Sequence, residues 1–555
     1  MGTIRNPILS GFHPDPSILY HEGWFYVANS TFEWFGGVEI HRSKDLSVWE
    51  SIARPLARRS QLDMKGNPES GGIWAPCLSY SDGLFWLIYT DTKTWAREPF
   101  KDTPNYLVTA EHIEGPWSEP SFLNCSGFDP SLFHDEDGRK WLVNMEWDYR
   151  QPGKKRFTGI LLQEFRPLAR TLTGPIKKIY TGTPIGLTEG PHLYKKDGWY
   201  YLVVAEGGTG YEHAVSVARS RSIDGPYETH PRNPLCSARF DDTLELRKAG
   251  HGSWCCGRDG RWFLVFLVGR PLPGTDRCVL GRETAIEELE WSDGWPYLKG
   301  RSEKELTKAQ CCAPRAEIDV PWETKPFQRE KKEYRFGTAA KRVAFLADFM
   351  TLRLPFDSGL YSLDTRPGYL RLYGRESPNS RHEQALIARR QRDFLFRAET
   401  TLDFACTSFQ EMAGLTYRYD ENKWYYLRIS WDEAKQARTL GLLVCDSGKF
   451  SMPLGREEIV LPEDGPVTLG LVVDYTELRF YWSLPGGDRQ EFPGTFDASI
   501  LSDDYGSLGF TGAFVGMTCQ DLRRRHVYAD FSRFSYEGLE DAHPAGAVQR
   551  PASKR

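Results

Sequence analysis

Three carboxylic acids, an indole and an imidazole recur at comparable places along the first half of this chain: Asp15, Trp74, Asp129, Glu189 and His251. Each stands eight or nine residues before the glycine of an acidic-Gly pair, the glycines falling at 23, 83, 138, 198 and 260. Inverting cleavage of a glycosidic bond needs two opposed carboxyls about 6.5–9.5 Å apart, one to protonate the departing oxygen and one to deprotonate water on the other ring face. A third carboxylate near the acid opposes its ionisation and keeps its proton near neutral pH. An indole offers a sugar ring a stacking face. Each residue alone reads more simply: Asp-Pro is a turn device, a glutamate beside Gly-Pro is a loop acid, a tryptophan is core. Their recurrence at one place in a repeat shifts the reading toward a polar funnel.

The repeat is carried by Glu22-Gly23-Trp24-Phe25-Tyr26, Asp82-Gly83-Leu84-Phe85-Trp86, Asp137-Gly138-Arg139-Lys140-Trp141, Asp197-Gly198-Trp199-Tyr200-Tyr201 and Asp259-Gly260-Arg261-Trp262-Phe263, with steps of 60, 55, 60 and 62 residues. A fixed period of this kind marks an array of similar units. Each acidic-Gly pair lies between short aromatic runs, the composition of a tight hairpin. Five small antiparallel sheets pack radially with only short edges left open, so residues 1–305 are expected to form a five-bladed β-propeller with the funnel residues at the starts of its inner strands. Lys140 replaces an aromatic in the third copy, and nothing in the sequence accounts for it.

A chain of 555 residues is too long for one core. Residues 306–340 are rich in Lys, Glu and Pro and read as a solvated connection, including the charge run 329–333. Alternating strands at 370–373, 396–404, 424–429, 471–474 and 480–482 predict a β-sandwich over 341–538; residues 539–555 read as a disordered tail. The fold class is therefore all-β. A net charge of -5 without a long basic run argues against a nucleic-acid surface. No run of 18 apolar residues spans a membrane and no secretory signal opens the chain. Eleven cysteines with no CxxC pair read as reduced thiols, giving a cytoplasmic expectation. The HExxH signature of a metal-dependent hydrolase is absent from the sequence.

His13-Pro14-Asp15-Pro16-Ser17, Phe128-Asp129-Pro130-Ser131 and Thr188-Glu189-Gly190-Pro191-His192 resemble the three signatures of glycoside hydrolase family 43. The segments 6–12 and 30–37 are similar to that family's β-xylosidases, the resemblance running from residue 4 to about 300. Residues 512–517 resemble part of the concanavalin-like β-sandwich that such β-xylosidases carry. The resemblance implies Asp15 as general base, Glu189 as general acid and Asp129 as the group that holds the acid's proton and orientation. It implies Trp74 as a sugar stacker, Phe32 and Trp147 as pocket walls, and Arg282 as a ligand to substrate hydroxyls; Arg282 reads alternatively as a structural partner of Glu283 or Asp276. His251 is left between a hydrogen-bonding group and a ligand to calcium or another divalent cation; no metal ligand set is assigned and no organic cofactor is required. Phe514 would close the mouth of the site and make the enzyme exo-acting. The implied substrate is a xylo-oligosaccharide, cut from its non-reducing end, and a homodimer or homotetramer is the implied assembly. Two other functions stay open: α-L-arabinofuranosidase action, because the two sugars present similar hydroxyls, and a non-catalytic sugar-binding propeller, which has no need of opposed carboxyls.

Overall fold

The computed structural model describes residues 1–96, 99–337, 345–356 and 359–540. They fall into two units: Met1–Arg270 with Arg282–Pro326, and Pro271–Gly281 with Phe327–Arg555.

The first unit holds five four-stranded antiparallel sheets, each in sequence order, the blades of a propeller. Their inner strands are Ser17–His21, Gly72–Ser81, Ser131–His134, Glu189–Lys196 and Arg247–Cys256. In Glu22-Gly23, Asp82-Gly83 and Asp197-Gly198 both residues take positive φ, from 48° to 82°, the mirror-image turn whose twist matches two joined strands. In Asp137-Gly138 and Asp259-Gly260 only the glycine does so, at 85° and 79°, within longer loops between His134 and Lys140 and between Cys256 and Trp262.

These unequal turns correct the alignment of the repeats. The inner strands start their uninterrupted ladders just after a left-handed residue, two residues after it in four blades and one residue after it in the fifth. The ladders begin at Ser17↔Ala28, Cys77↔Ile88, Ser131↔Val143, His192↔Val203 and Gly252↔Phe266. The left-handed residues are Asp15 (φ 49°), Ala75 (23°), Asp129 (55°), Gly190 (57°) and His251 (49°). Ala75 and Gly190 are thus the equivalents of Asp15, while Trp74 and Glu189 stand one residue earlier. Counting back from the turn glycine misplaces them because it ignores turn length.

Lys140 is accounted for by the packing of blade three on blade two. Its buried ammonium donates to Ser81 Oγ (3.0 Å) and to His134 Nδ1 (2.9 Å) and pairs with Asp82 (2.7 Å). It also lies 5.4 Å from the centre of the Trp86 ring. A polar bridge replaces the ring contact of the other copies. Burial, with the Lys140 charge, pushes His134 down to about 3, so the imidazole is neutral and accepts at Nδ1.

The stretch 306–340 differs from a single solvated connection. Glu317–Val320 pairs with the N-terminal strand Gly2–Arg5, and a short helix, Lys308–Cys312, carries a Thr307 capping box. Residues to Pro326 therefore belong to the first unit. In the second unit Lys331–Arg335 is a strand paired with Tyr528–Gly538, with Tyr334 buried in its core. The charge run is solvated on one face only, and Glu330 forms a largely buried ion pair with Arg389.

The second unit is a sandwich of antiparallel strands. Leu395–Phe404 buries every second residue and pairs with Val467–Asp474 and Tyr528–Gly538. The facing sheet contains Ala385–Arg390, Glu411–Arg418, Trp424–Asp432 and Phe514–Asp521. Leu402, Leu469, Leu415, Leu427 and Met517 share its core. At the expected tail, the Leu539 amide still donates to the Leu395 carbonyl (3.0 Å), and 541–555 lie outside the described residues. Among the described residues no helix is long and apolar enough to cross a membrane.

Candidate active site

Asp15 and Asp129 occupy left-handed backbone, which costs an L residue about 1–2 kcal/mol, and the surroundings hold them there. The Pro14 carbonyl accepts from Asn29 Nδ2 (2.9 Å) and from the Ser30 amide (3.3 Å). Ser30 Oγ in turn donates to Asp15 Oδ2 at 2.7 Å. Two residues beyond Asp129, Ser131 Oγ donates to the Pro191 carbonyl at 2.6 Å, fastening blade three to blade four. Strain kept at such positions points to function.

The three carboxyls feel one another's charge, and the groups around them are joined by short contacts. The Gly190 amide, next to Glu189, donates to Asp129 Oδ2 at 3.1 Å. A Cβ at residue 190 would lie 3.0 Å from the His251 ring, and His251 Nδ1 lies 3.8 Å from Asp15 Oδ1. Asp15 and Asp129 are each 7% exposed, whereas Glu189 keeps more solvent contact. Burial, then the Asp15 charge, raises Glu189 above the usual carboxylate range, against the cations Arg282 and Lys101. Burial and then the charges of Glu189 and Asp15 raise Asp129, against the Gly190 amide and Arg282. The cluster therefore resists carrying three negative charges and holds a proton near neutral pH. Such a set can donate one proton and accept another.

Aromatic side chains wall the site. Trp74 packs edge-on against Phe128 (5.3 Å between centres) and tilts against Phe32 (6.2 Å), while its indole donates to the Ser70 carbonyl at 2.8 Å. Phe128 reaches Trp147 at 6.4 Å. Phe32 is placed by a two-way backbone bridge to Ile73, at 3.0 and 3.1 Å. Arg282 is buried and acts on Asp129, Glu189 and His251. Glu283 pairs instead with Arg270 at 2.7 Å.

The sequence model described as Glycosyl hydrolases family 43 matches residues 4–296. The chain belongs to glycosyl hydrolase family 43. A second model, Beta xylosidase C-terminal Concanavalin A-like domain, matches residues 344–537 of this family 43 hydrolase. It is 47% identical to Xylosidase/arabinosidase 43B of Humicola insolens, covering 98% of this chain and 99% of that one. It is 46% identical to a Beta-xylosidase of Bacillus subtilis (strain 168), covering 96% and 99%. Its fold matches the crystal structure of xylan beta-1,4-xylosidase from Bacillus halodurans C-125 with a TM-score of 0.89 at 49% identity, over 96% of this chain and 100% of that one.

Two further groups stand in this family 43 site without a sequence signal that singles them out. Ser30 braces Asp15 from the second strand's end. Lys101, on a loop outside the repeat, donates to the Trp95 carbonyl (3.0 Å) and lies 4.5 Å over the Trp147 ring. Burial pushes its ammonium down to about 8, against the opposing pull of Glu189. Around His251 the interacting groups are the Asp15 carboxylate, the imidazoles of His192 and His213, and Arg282. That donor set is poor in oxygen for calcium and includes a cation. Among the described residues the one His/Cys/Asp/Glu group with metal-like spacing is His13, Glu39 and His41, where Glu39 Oε1 already accepts from Ser51 Oγ (2.9 Å) and Arg54 Nη2 (3.3 Å). Phe514 lies in the second unit, buried at the start of Phe514–Asp521 between Arg390 and Arg418.

Proposed function

We propose that this family 43 hydrolase is an inverting, exo-acting β-1,4-xylosidase that releases xylose from the non-reducing ends of xylo-oligosaccharides. The observation that carries the reading is the linkage of Asp15, Asp129 and Glu189 from three blades through Gly190 and His251. The names of the Bacillus relatives support the choice of sugar.

In this reading Glu189 gives its proton to the glycosidic oxygen as the bond to the anomeric carbon breaks. Asp15, held by Ser30, takes a proton from the water that attacks the opposite face. Asp129 keeps the acid's proton and, through the Gly190 amide, the position of the Glu189 strand. Arg282 binds sugar hydroxyls and limits how far the acid's affinity for its proton rises. Trp74, Phe32 and Trp147 hold the ring and exclude water. The eleven unbridged cysteines support action in the reducing cytoplasm; recovery of the activity in the cytoplasmic fraction checks this.

A second activity on α-L-arabinofuranosides is favoured by the Humicola relative, whose name joins xylosidase with arabinosidase. Pocket discrimination between such sugars is worth only a few kcal/mol. Proton NMR of xylobiose hydrolysis tests the main reading: α-xylose appears first if the enzyme inverts. β-Xylose first, or turnover of the arabinoside alone, overturns it.

A further inference from the structure

The aromatic wall of the site does not end at Trp147. The Trp147 indole donates to the Pro99 carbonyl at 2.9 Å, and the next residue, Phe100, is 60% exposed. Its ring lies 4.8 Å from that of Tyr149, which is 51% exposed. Lys101 folds back from the same loop onto the Trp147 and Trp95 rings. Asp148, between Trp147 and Tyr149, is pinned by its amide to the Arg156 carbonyl (2.9 Å) and by Arg150 (2.8 Å). Ring contacts therefore run from Trp74 through Phe128 to Trp147, and the Pro99 carbonyl joins Trp147 to the exposed Phe100–Tyr149 pair.

Single exposed aromatics are ordinary on a protein surface. Two that pack on each other and are braced to a residue of the candidate site are not explained by chance exposure. Their flat faces suit the C–H face of a pyranose, and the Tyr149 hydroxyl adds a polar edge. A sugar chain whose terminal residue sits among the carboxyls must leave the site along its wall.

We infer that Phe100 and Tyr149 form a rim platform that binds the leaving portion of a β-linked xylose chain, beyond the residue directly after the cleaved bond. This rests on the xylosidase reading, and it makes chain length a determinant of rate: longer oligosaccharides gain an aromatic contact that xylobiose is too short to reach.

The test compares kcat/KM for xylotetraose and xylobiose in the wild type, Phe100→Ala, Phe100→Leu and Tyr149→Ala. The ratio of the two constants is expected to fall about three- to tenfold in each variant, the worth of one aromatic contact, and mostly through KM. Phe100→Leu keeps apolar bulk without a flat face, so it reports on the platform even where alanine disturbs the loop. An unchanged ratio overturns the inference, whether both substrates lose equally or neither loses. A changed molecular mass in solution with unchanged ratios also overturns it and makes the pair a contact between copies. Calorimetric titration of wild type and Phe100→Ala with xylotetraose separates this from a failure of the xylosidase reading. If no xyloside is hydrolysed, weaker xylotetraose binding in the variant still supports the platform, and equal or absent binding overturns it.

Discussion

The amide of Gly190 points at the carboxylate of Asp129 across the seam between blades three and four, 3.1 Å away. This bond ties the backbone beside Glu189 to a second carboxyl, so the position of one and the charge of the other are set together. Because repulsion between Asp129 and Glu189 is reciprocal, it falls on whichever group ionises second. Burial and Asp15 already lift Glu189; Asp129 adds to a site that is reluctant to lose its last proton.

Asp129→Asn keeps the volume and removes one titrating carboxyl. The upper limb of the kcat/KM profile reports ionisation of the acid, and with one negative neighbour fewer the acid ionises more readily. The limb is expected to move to lower pH. A limb that stays in place would mean that burial and Asp15 alone retain the proton of Glu189.

Substitution of the two proton-transfer groups should be distinguishable by leaving group. Glu189→Ala and Asp15→Ala are each expected to lower turnover of xylobiose by at least ~10³-fold. A dinitrophenolate departs without protonation, so 2,4-dinitrophenyl β-xyloside should recover much of the rate in Glu189→Ala and none in Asp15→Ala. Equal recovery in both variants would contradict the assignment of acid and base.

Gly190→Ala tests the seam itself. Residue 190 has a φ of 57°, and a Cβ there meets the His251 ring at 3.0 Å. The backbone cost is about 1–2 kcal/mol, to which displacement of His251, the neighbour of Asp15, is added. A lower Tm and a loss of kcat exceeding that in Gly186→Ala are expected; Gly186 also has positive φ (75°) but open space around it. Comparable losses at both glycines would make the effect one of backbone strain alone.

The propeller is legible in the sequence because its acidic-Gly turns and aromatic runs are local. Asp15 and Asp129 are legible because proline follows each at the head of an inner strand. The frame of Trp74 and Glu189 is not, since two-residue and longer turns share one dipeptide and differ only in where the strands stop pairing. Lys140 looks like a defect in the repeat until His134, Ser81 and Asp82 surround it. Lys101, Phe100 and Ser30 lie outside the repeat, and their places depend on contacts from distant parts of the chain. The run 329–333 reads as solvent-facing because the burial of Glu330 is imposed by Arg389, 59 residues away.

That buried pair gives the second unit a defined acid sensitivity. Burial tends to raise Glu330, but the charges of Arg389, Arg392 and Lys332 outweigh it and hold the carboxyl far below its ordinary value of 4.5. The unfolded chain therefore binds a proton in a range where the folded chain does not, so stability from this group is complete above about pH 4.5 and is lost as pH falls below it. Glu330→Gln should flatten the fall in Tm between pH 5 and pH 3. It should also lower stability at pH 7 by about 3–5 kcal/mol, because Arg389, 2% exposed at its side chain, keeps a buried charge without its carboxylate. The double variant Glu330→Leu/Arg389→Met removes both charges and is expected to recover most of that loss. Failure to recover would indicate that the pair is needed for packing around Tyr334, whose hydroxyl accepts from Arg389 Nη1 at 2.8 Å, and not for its charge balance alone.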